Sequence, residues 1–146
     1  MRKIAILAIF VVFAGVSCGV NQNPPSYVKD VAAYKEGSDG LVVYFILADS
    51  SGSMTTANGS VTIKIIEEIS TGRERELYSR TRNVSTTDFH KTKIGRGAFE
   101  RDAILYSFGR LTYSLFVLKP NESMGKIKIE FTSNGKTMNG EDTIFW

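Results

Sequence analysis

The chain has 146 residues, 42% hydrophobic and 23% charged, which is one domain's worth of sequence and enough for a real core. One cysteine and one histidine exclude a disulfide framework and a cysteine–histidine zinc cluster. A formal charge of +3, part of it from Arg2 and Lys3 at the start of the chain, is too small for the basic face of a nucleic-acid binder.

After Met1-Arg2-Lys3 the sequence is apolar from Ile4 to Val16, broken only by Gly15. Two positive charges before a short apolar run is the layout of a secretory signal peptide, because the charges stay cytoplasmic while the run enters the translocon. The run is shorter than the ~20 apolar residues a membrane-spanning helix needs. It ends at Ser17-Cys18-Gly19, and polar chain with two prolines follows (Asn21 to Ser26).

Gly15-Val16-Ser17-Cys18 resembles the lipobox of bacterial lipoproteins, with Gly15 where that family usually carries Leu. The resemblance implies a diacylglyceryl group on the Cys18 thiol and cleavage before Cys18, so that residues 1–17 are a lipoprotein signal peptide. It also implies a protein of the bacterial cell envelope, held to a membrane by that lipid and facing the periplasm or the exterior. Gly19, where an aspartate would be a retention signal, points by the same resemblance to the outer membrane. Cleavage removes Arg2 and Lys3 and lowers the formal charge to about +1. Residues 18–27 are expected to be a flexible tether, too polar to be ordered by burial. Residues 28–146 then form a single domain.

Strand signals dominate that domain. Leu41 to Ala48 is β-branched and aromatic, bounded by Asp39-Gly40 and Asp49-Ser50-Ser51-Gly52, and is read as a buried strand. Asn58-Gly59 is read as a turn, since both residues tolerate positive φ. Val61 to Ile65 alternates with Val61, Ile63 and Ile65 inward, and is expected to pair with 41–48 as a hairpin with a long connection. Weaker strand candidates are 27–34, 76–82, 88–94 and 113–118. Between 98 and 111, Phe99, Ala103, Tyr106 and Arg110 fall at helical spacing, interrupted by Gly109, so a short helix or irregular crossing is expected. Lys126 to Thr132 alternates strictly, with Ile127, Ile129 and Phe131 inward. Asn134-Gly135 turns the chain and 143–146 returns as a final strand.

About seven short strands with regular turns predict an all-β fold, an antiparallel β-sandwich with at most one short helix. The pattern resembles immunoglobulin and fibronectin type III domains, without the cysteine pair and inter-sheet tryptophan of antibody domains. That likeness is architectural and does not supply a function.

Asp49-Ser50-Ser51-Gly52-Ser53 is similar to the Asp-x-Ser-x-Ser motif of von Willebrand factor A domains. There the aspartate and serines hold a divalent cation, and hard oxygens at a strand end suit Mg2+ or Mn2+. Carried over, Asp49, Ser51 and Ser53 would be metal ligands of a metal-dependent adhesion module, with Thr92 and Asp102 as candidates for the later loops. That family is doubly wound α/β and follows the motif with a long helix, whereas here a turn signal and an alternating strand follow. The same residues are ordinary turn formers, and that is the reading adopted.

The other candidates for chemistry are few. His90 is expected on a strand face beside Lys91, and nothing around it resembles a nucleophile elbow. Glu67-Glu68 and Glu100 with Asp102 are acidic pairs, read as solvated surface rather than as two carboxylates across a cleft. Arg73, Arg75, Arg80 and Arg82 interleave with Glu74 and Glu76, which is the pattern of a solvated face and not of nucleic-acid binding. Glu74, Arg75, Glu76 and the Lys126/Lys128 face are read as protected edges or solvent faces. Phe89, Phe99, Tyr106, Phe108, Tyr113 and Phe116 are expected mostly in the core. The expectation is a non-enzymatic binding or accessory module without a cofactor, anchored through Cys18, with an envelope protein or ligand as partner.

Overall fold

A computed structural model describes residues 23–69, 72–121 and 124–146. Lipidation at Cys18 and the signal peptide fall outside them. The described residues form nine strands in two antiparallel sheets, joined by turns and three short 3-10 segments. The first sheet has the order β1 (Tyr27–Lys35), β2 (Gly40–Ala48), β7 (Arg101–Thr112), β6 (Phe89–Ile94), with the two-residue β3 (Met54–Thr55) also on β2. The second has the order β5 (Arg73–Val84), β4 (Gly59–Ile69), β8 (Met124–Ser133), β9 (Lys136–Phe145). In immunoglobulin lettering the sheets run A-B-E-D and C′-C-F-G, so the all-β sandwich of that type is the fold.

Side-chain alternation builds the core. Leu41, Val43, Phe45 and Leu47 of β2 meet Val61, Ile63 and Ile65 of β4 and Ile127, Ile129 and Phe131 of β8, all at most 1% exposed. The inward sets in β4 and β8 are those expected from their period of two. Their outward neighbours Lys126 and Lys128 sit on the solvent face of an interior strand, each paired with a glutamate, Glu68 and Glu74 respectively.

Four expectations are corrected. Strands β2 and β4 do not form a hairpin: β2 pairs with β1, β3 and β7, and β4 with β5 and β8. Both are fully apolar on their inward side, so they face each other across the core instead of sharing an edge. The stretch 98–111 is mainly strand β7, entered by a 3-10 turn at Gly97–Phe99. Its apparent helical spacing comes from apolar residues on both faces. Ile104, Tyr106 and Phe108 point into the main core, while Ala103 and Leu105 lie on the opposite face. A bulge at Gly109 (φ 71) then shifts the register against β2. Residues 113–118 form no strand; a 3-10 turn, Tyr113–Leu115, leads into an irregular connection.

The fourth concerns Asn58-Gly59, which makes no positive-φ turn. Gly59 opens β4 so close to β8 that a Cβ there would lie 2.3 Å from the Thr132 carbonyl oxygen. Asn134 (φ 49) and Gly135 (φ 76) do make the expected β8–β9 turn, both with positive φ.

Candidate functional site

The loop after β2 brings the Asp-x-Ser-x-Ser residues together. Asp49 is 4% exposed. Its Oδ1 accepts from the Ser51 hydroxyl (2.6 Å), the Ser51 amide (2.9 Å) and the Ser53 amide (3.0 Å). The Ser51 and Ser53 hydroxyls lie 3.0 Å apart. This is a side chain closing its own turn, helped by Asp49 N–H to Ser53 C=O and Gly52 N–H to Asp49 C=O. A cation on Asp49 Oδ1 would have to displace all three of these donors. The chain continues through β3 into β4, with no helix after the motif.

The other carboxylate oxygen does something the sequence did not advertise. Asp49 Oδ2 accepts from Asn23 Nδ2 at 3.0 Å, and the Thr55 hydroxyl donates to the Asn23 carbonyl at 2.8 Å. The Ser26 amide then bonds the Ala48 carbonyl, and Pro25 is buried. Residues 23–26, expected to be free tether, are therefore docked on this loop. The Ser51 hydroxyl first, then Asn23, then the backbone amides of Ser53 and Ser51 hold the Asp49 carboxyl down at a pKa of about 2.

Glu67 is the second departure. It is fully buried, not solvated. It continues the inward set Val61, Ile63 and Ile65 of β4, whose pairing with β8 runs unbroken to Glu67 opposite Gly125, while the register shift against β5 leaves the extra residue, Leu77, on that strand. The Arg75 guanidinium of β5 reaches it, with Nε 3.0 Å from Oε2, and the Asn121 amide donates to Oε1. Glu67 thus ties the β4–β5 hairpin to the β7–β8 connection. Its neighbour Glu68 pairs with Lys126 on the solvent face, which raises the lysine pKa through that hydrogen bond. Lys128 in turn lowers the Glu74 pKa. Such exposed pairs contribute little individually.

The other candidates are scattered. His90 and Lys91 are exposed on the edge strand β6, as expected. Glu100 pairs with Lys93 at 3.1 Å, and Asp102, two residues later on β7, is exposed opposite Lys93. Thr92 and Asp102 lie on paired strands, β6 and β7, rather than on loops converging on Asp49. No group of three or more His, Cys, Asp or Glu is close enough to hold a metal among the described residues. Of the six aromatics, Phe89, Tyr106, Phe108 and Phe116 are buried, Tyr113 packs against the core, and Phe99 is 86% exposed.

One sheet face is more apolar than solvent contact requires. The outward residues of β2 are Val42, Tyr44 and Ile46, where a solvated antiparallel face would carry polar side chains. Met54 and Ile94 pack over Ile46, Ala103 and Leu105. Beside them an open depression of about 560 Å³ remains, lined by Tyr34, Val42, Tyr44, Leu105 and the Thr92–Arg96 rim. Burial, then the negative charge of Asp30, raises the Tyr44 pKa. The lining of the depression mixes apolar side chains with tyrosine, serine and threonine hydroxyls and with the cations Lys93 and Arg96, the mixture of apolar surface and a few polar groups that ligand sites use.

No protein-family model matches the chain, and no curated protein matches it. Among solved structures it is similar to a crystal structure of MtrC from Shewanella baltica OS185, at 11% identity and a TM-score of 0.44. The similarity covers 79% of this chain and 21% of that one, so the chain spans about a fifth of that protein's length. A likeness of that size bears on neither ligand nor role.

Proposed function

We propose that the protein is a lipid-anchored lipoprotein of the bacterial cell envelope whose single immunoglobulin-type sandwich serves as a non-enzymatic binding module. The observation that carries this is the position of Cys18. The only cysteine of the chain sits at the end of the apolar run, in Gly15-Val16-Ser17-Cys18, five residues before the docked Asn23. Two or three acyl chains on one residue give stable anchoring, each buried CH2 contributing ~0.8 kcal/mol.

The non-enzymatic part of the reading is supported by where the acidic side chains are engaged. Asp49 closes a turn, Glu67 holds Arg75, Glu68 and Glu74 hold lysines, and Glu100 holds Lys93. The binding surface proposed is the outer face of the first sheet around Tyr34, Val42 and Tyr44, where apolar surface stays uncovered.

The test is fractionation of bacteria expressing the full chain and its Cys18→Ala variant, grown with labelled palmitate. The wild type is expected in the membrane fraction with label and the variant without it. Equal labelling of both, or label in neither, would overturn the anchoring.

A further inference from the structure

The two ends of the sandwich differ in what they present. Register places the start of β1 beside the end of β2, Tyr27 against Ala48. The β6–β7 turn lies at this same end. Phe45 pairs with Tyr106, and β7 runs back from there through Ile104, whose amide reaches Met54 Sδ, to Arg101 and the turn. Arg101 also pairs with Asp30 of β1 at 3.1 Å. The docked residues 23–26, the Asp49 loop and the β6–β7 turn therefore share one end.

That turn is built to hold an aromatic outward. Gly95 (φ 91) approaches the Phe99 carbonyl so closely that a Cβ would lie 2.4 Å from it. Amides of Phe99 and Glu100 bond the Arg96 and Gly97 carbonyls, and Lys93–Glu100 braces the base. Phe99 is nonetheless 86% exposed, the most exposed large apolar residue described. Arg96, three residues earlier in the same turn, has no carboxylate partner among the described residues. The tip Gly95-Arg96-Gly97-Ala98-Phe99 thus offers one cation and one aromatic ring, and no acid.

Chain length then limits what this tip can meet. Because Asn23 is docked, only residues 18–22 separate Cys18 from the folded domain, and five residues span at most ~17 Å. A domain so tethered keeps this end against the bilayer surface. We infer that the β6–β7 tip is a membrane contact, with Phe99 entering the interface of an anionic bilayer and Arg96 meeting its headgroups. An aromatic ring beside a cation is the pairing that interfacial anchors use. This inference rests on the anchoring proposed for Cys18. The opposite end also exposes apolar residues, Leu115, Val117 and Leu118, but Asn23, from which the chain leads back to Cys18, is docked at the other end.

The test uses the full chain expressed in bacteria, purified from membranes and reconstituted in vesicles of anionic lipid, with brominated lipid as quencher. One variant carries Phe99→Trp, and a control carries Val117→Trp at the far end, 82% exposed in the parent. Both keep Trp146 as a common background, and both sites are exposed, so neither change disturbs the core. The added tryptophan at 99 is expected to blue-shift and lose most of its emission, the one at 117 to do neither. Adding Arg96→Glu to the first variant should restore much of the emission. Equal quenching at both sites, or none at 99, would overturn the inference. Intact mass of the same sample reports separately whether Cys18 carries lipid. Without it the anchoring reading fails, while quenching at 99 by added vesicles still decides the role of the tip.

Discussion

Phe45 of β2 and Phe131 of β8 pack against each other across the two sheets, with ring centroids 5.8 Å apart and the ring planes tilted by 45°. These are the strands, B and F, that antibody domains join by a disulfide. Here the inter-sheet link is aromatic, and Phe45 also touches Phe89, Tyr106 and Phe108, at 5.4–6.1 Å. Phe45 and Phe131 have 0% exposure, so truncation leaves a cavity that the rings around it cannot fill. Phe45→Ala is expected to cost about 3–5 kcal/mol, read as a lowered midpoint in urea. A loss below ~1 kcal/mol would show that the rings are not the centre of the core.

The Asp49 carboxyl predicts an acid-sensitive latch. Its folded pKa, about 2, lies below the ordinary value of 3.8, so the stabilisation is fully present above pH ~4 and is lost as pH falls through 2. Asp49→Ala should reproduce that loss at neutral pH, freeing residues 23–26 while the sandwich persists. Amide exchange at Ser26, whose N–H bonds Ala48 C=O, is the direct readout. Unchanged exchange in the variant would contradict the latch.

Arg75→Ala removes the guanidinium from a carboxylate with no exposed side-chain surface. Breaking a fully buried pair costs ~3–5 kcal/mol. Arg75 is itself 33% exposed, so screening lowers the expectation to about 2–4 kcal/mol. Glu67→Gln should cost less, because the amide oxygen still accepts from Asn121. Chemical denaturation of the two variants checks the order, and Glu67→Gln as the more damaging change would contradict it.

Gly59→Ala should be poorly tolerated although Gly59 needs no unusual dihedral. The new methyl meets the Thr132 carbonyl and the Phe131 ring, so β4 must move from β8. We expect a loss of about 1–3 kcal/mol, the range for overpacking. Ala at exposed Gly72 serves as a matched control: it has open space but φ 72, so it reports dihedral strain alone.

What was legible in the sequence follows from its periodicity. Strands β4 and β8 alternate over a solvated outer face, so their inward residues could be named from the pattern. Strand β7 could not be read that way: its outer face is also apolar, at Ala103 and Leu105, and the Gly109 bulge breaks the period. The β2–β4 pairing was misread because chain neighbours often pair, whereas this fold sends the chain across the core between them. Glu67 looked like surface since burial of a charge depends on Arg75 and the Asn121 amide, partners whose proximity only the tertiary fold creates. Asp49 and its serines were visible as a turn, but their hold on Asn23, 26 residues earlier, had no local signal. Cys18 rests on the lipobox resemblance alone.

Intact mass spectrometry of the full-length gene product, expressed in bacteria and extracted from membranes, tests the central claim most directly. Lipid anchoring predicts a chain that begins at Cys18 and carries the added mass of a diacylglyceryl group, with or without a further acyl chain. A chain that retains Met1 to Ser17, or one that begins elsewhere without added lipid mass, would contradict it.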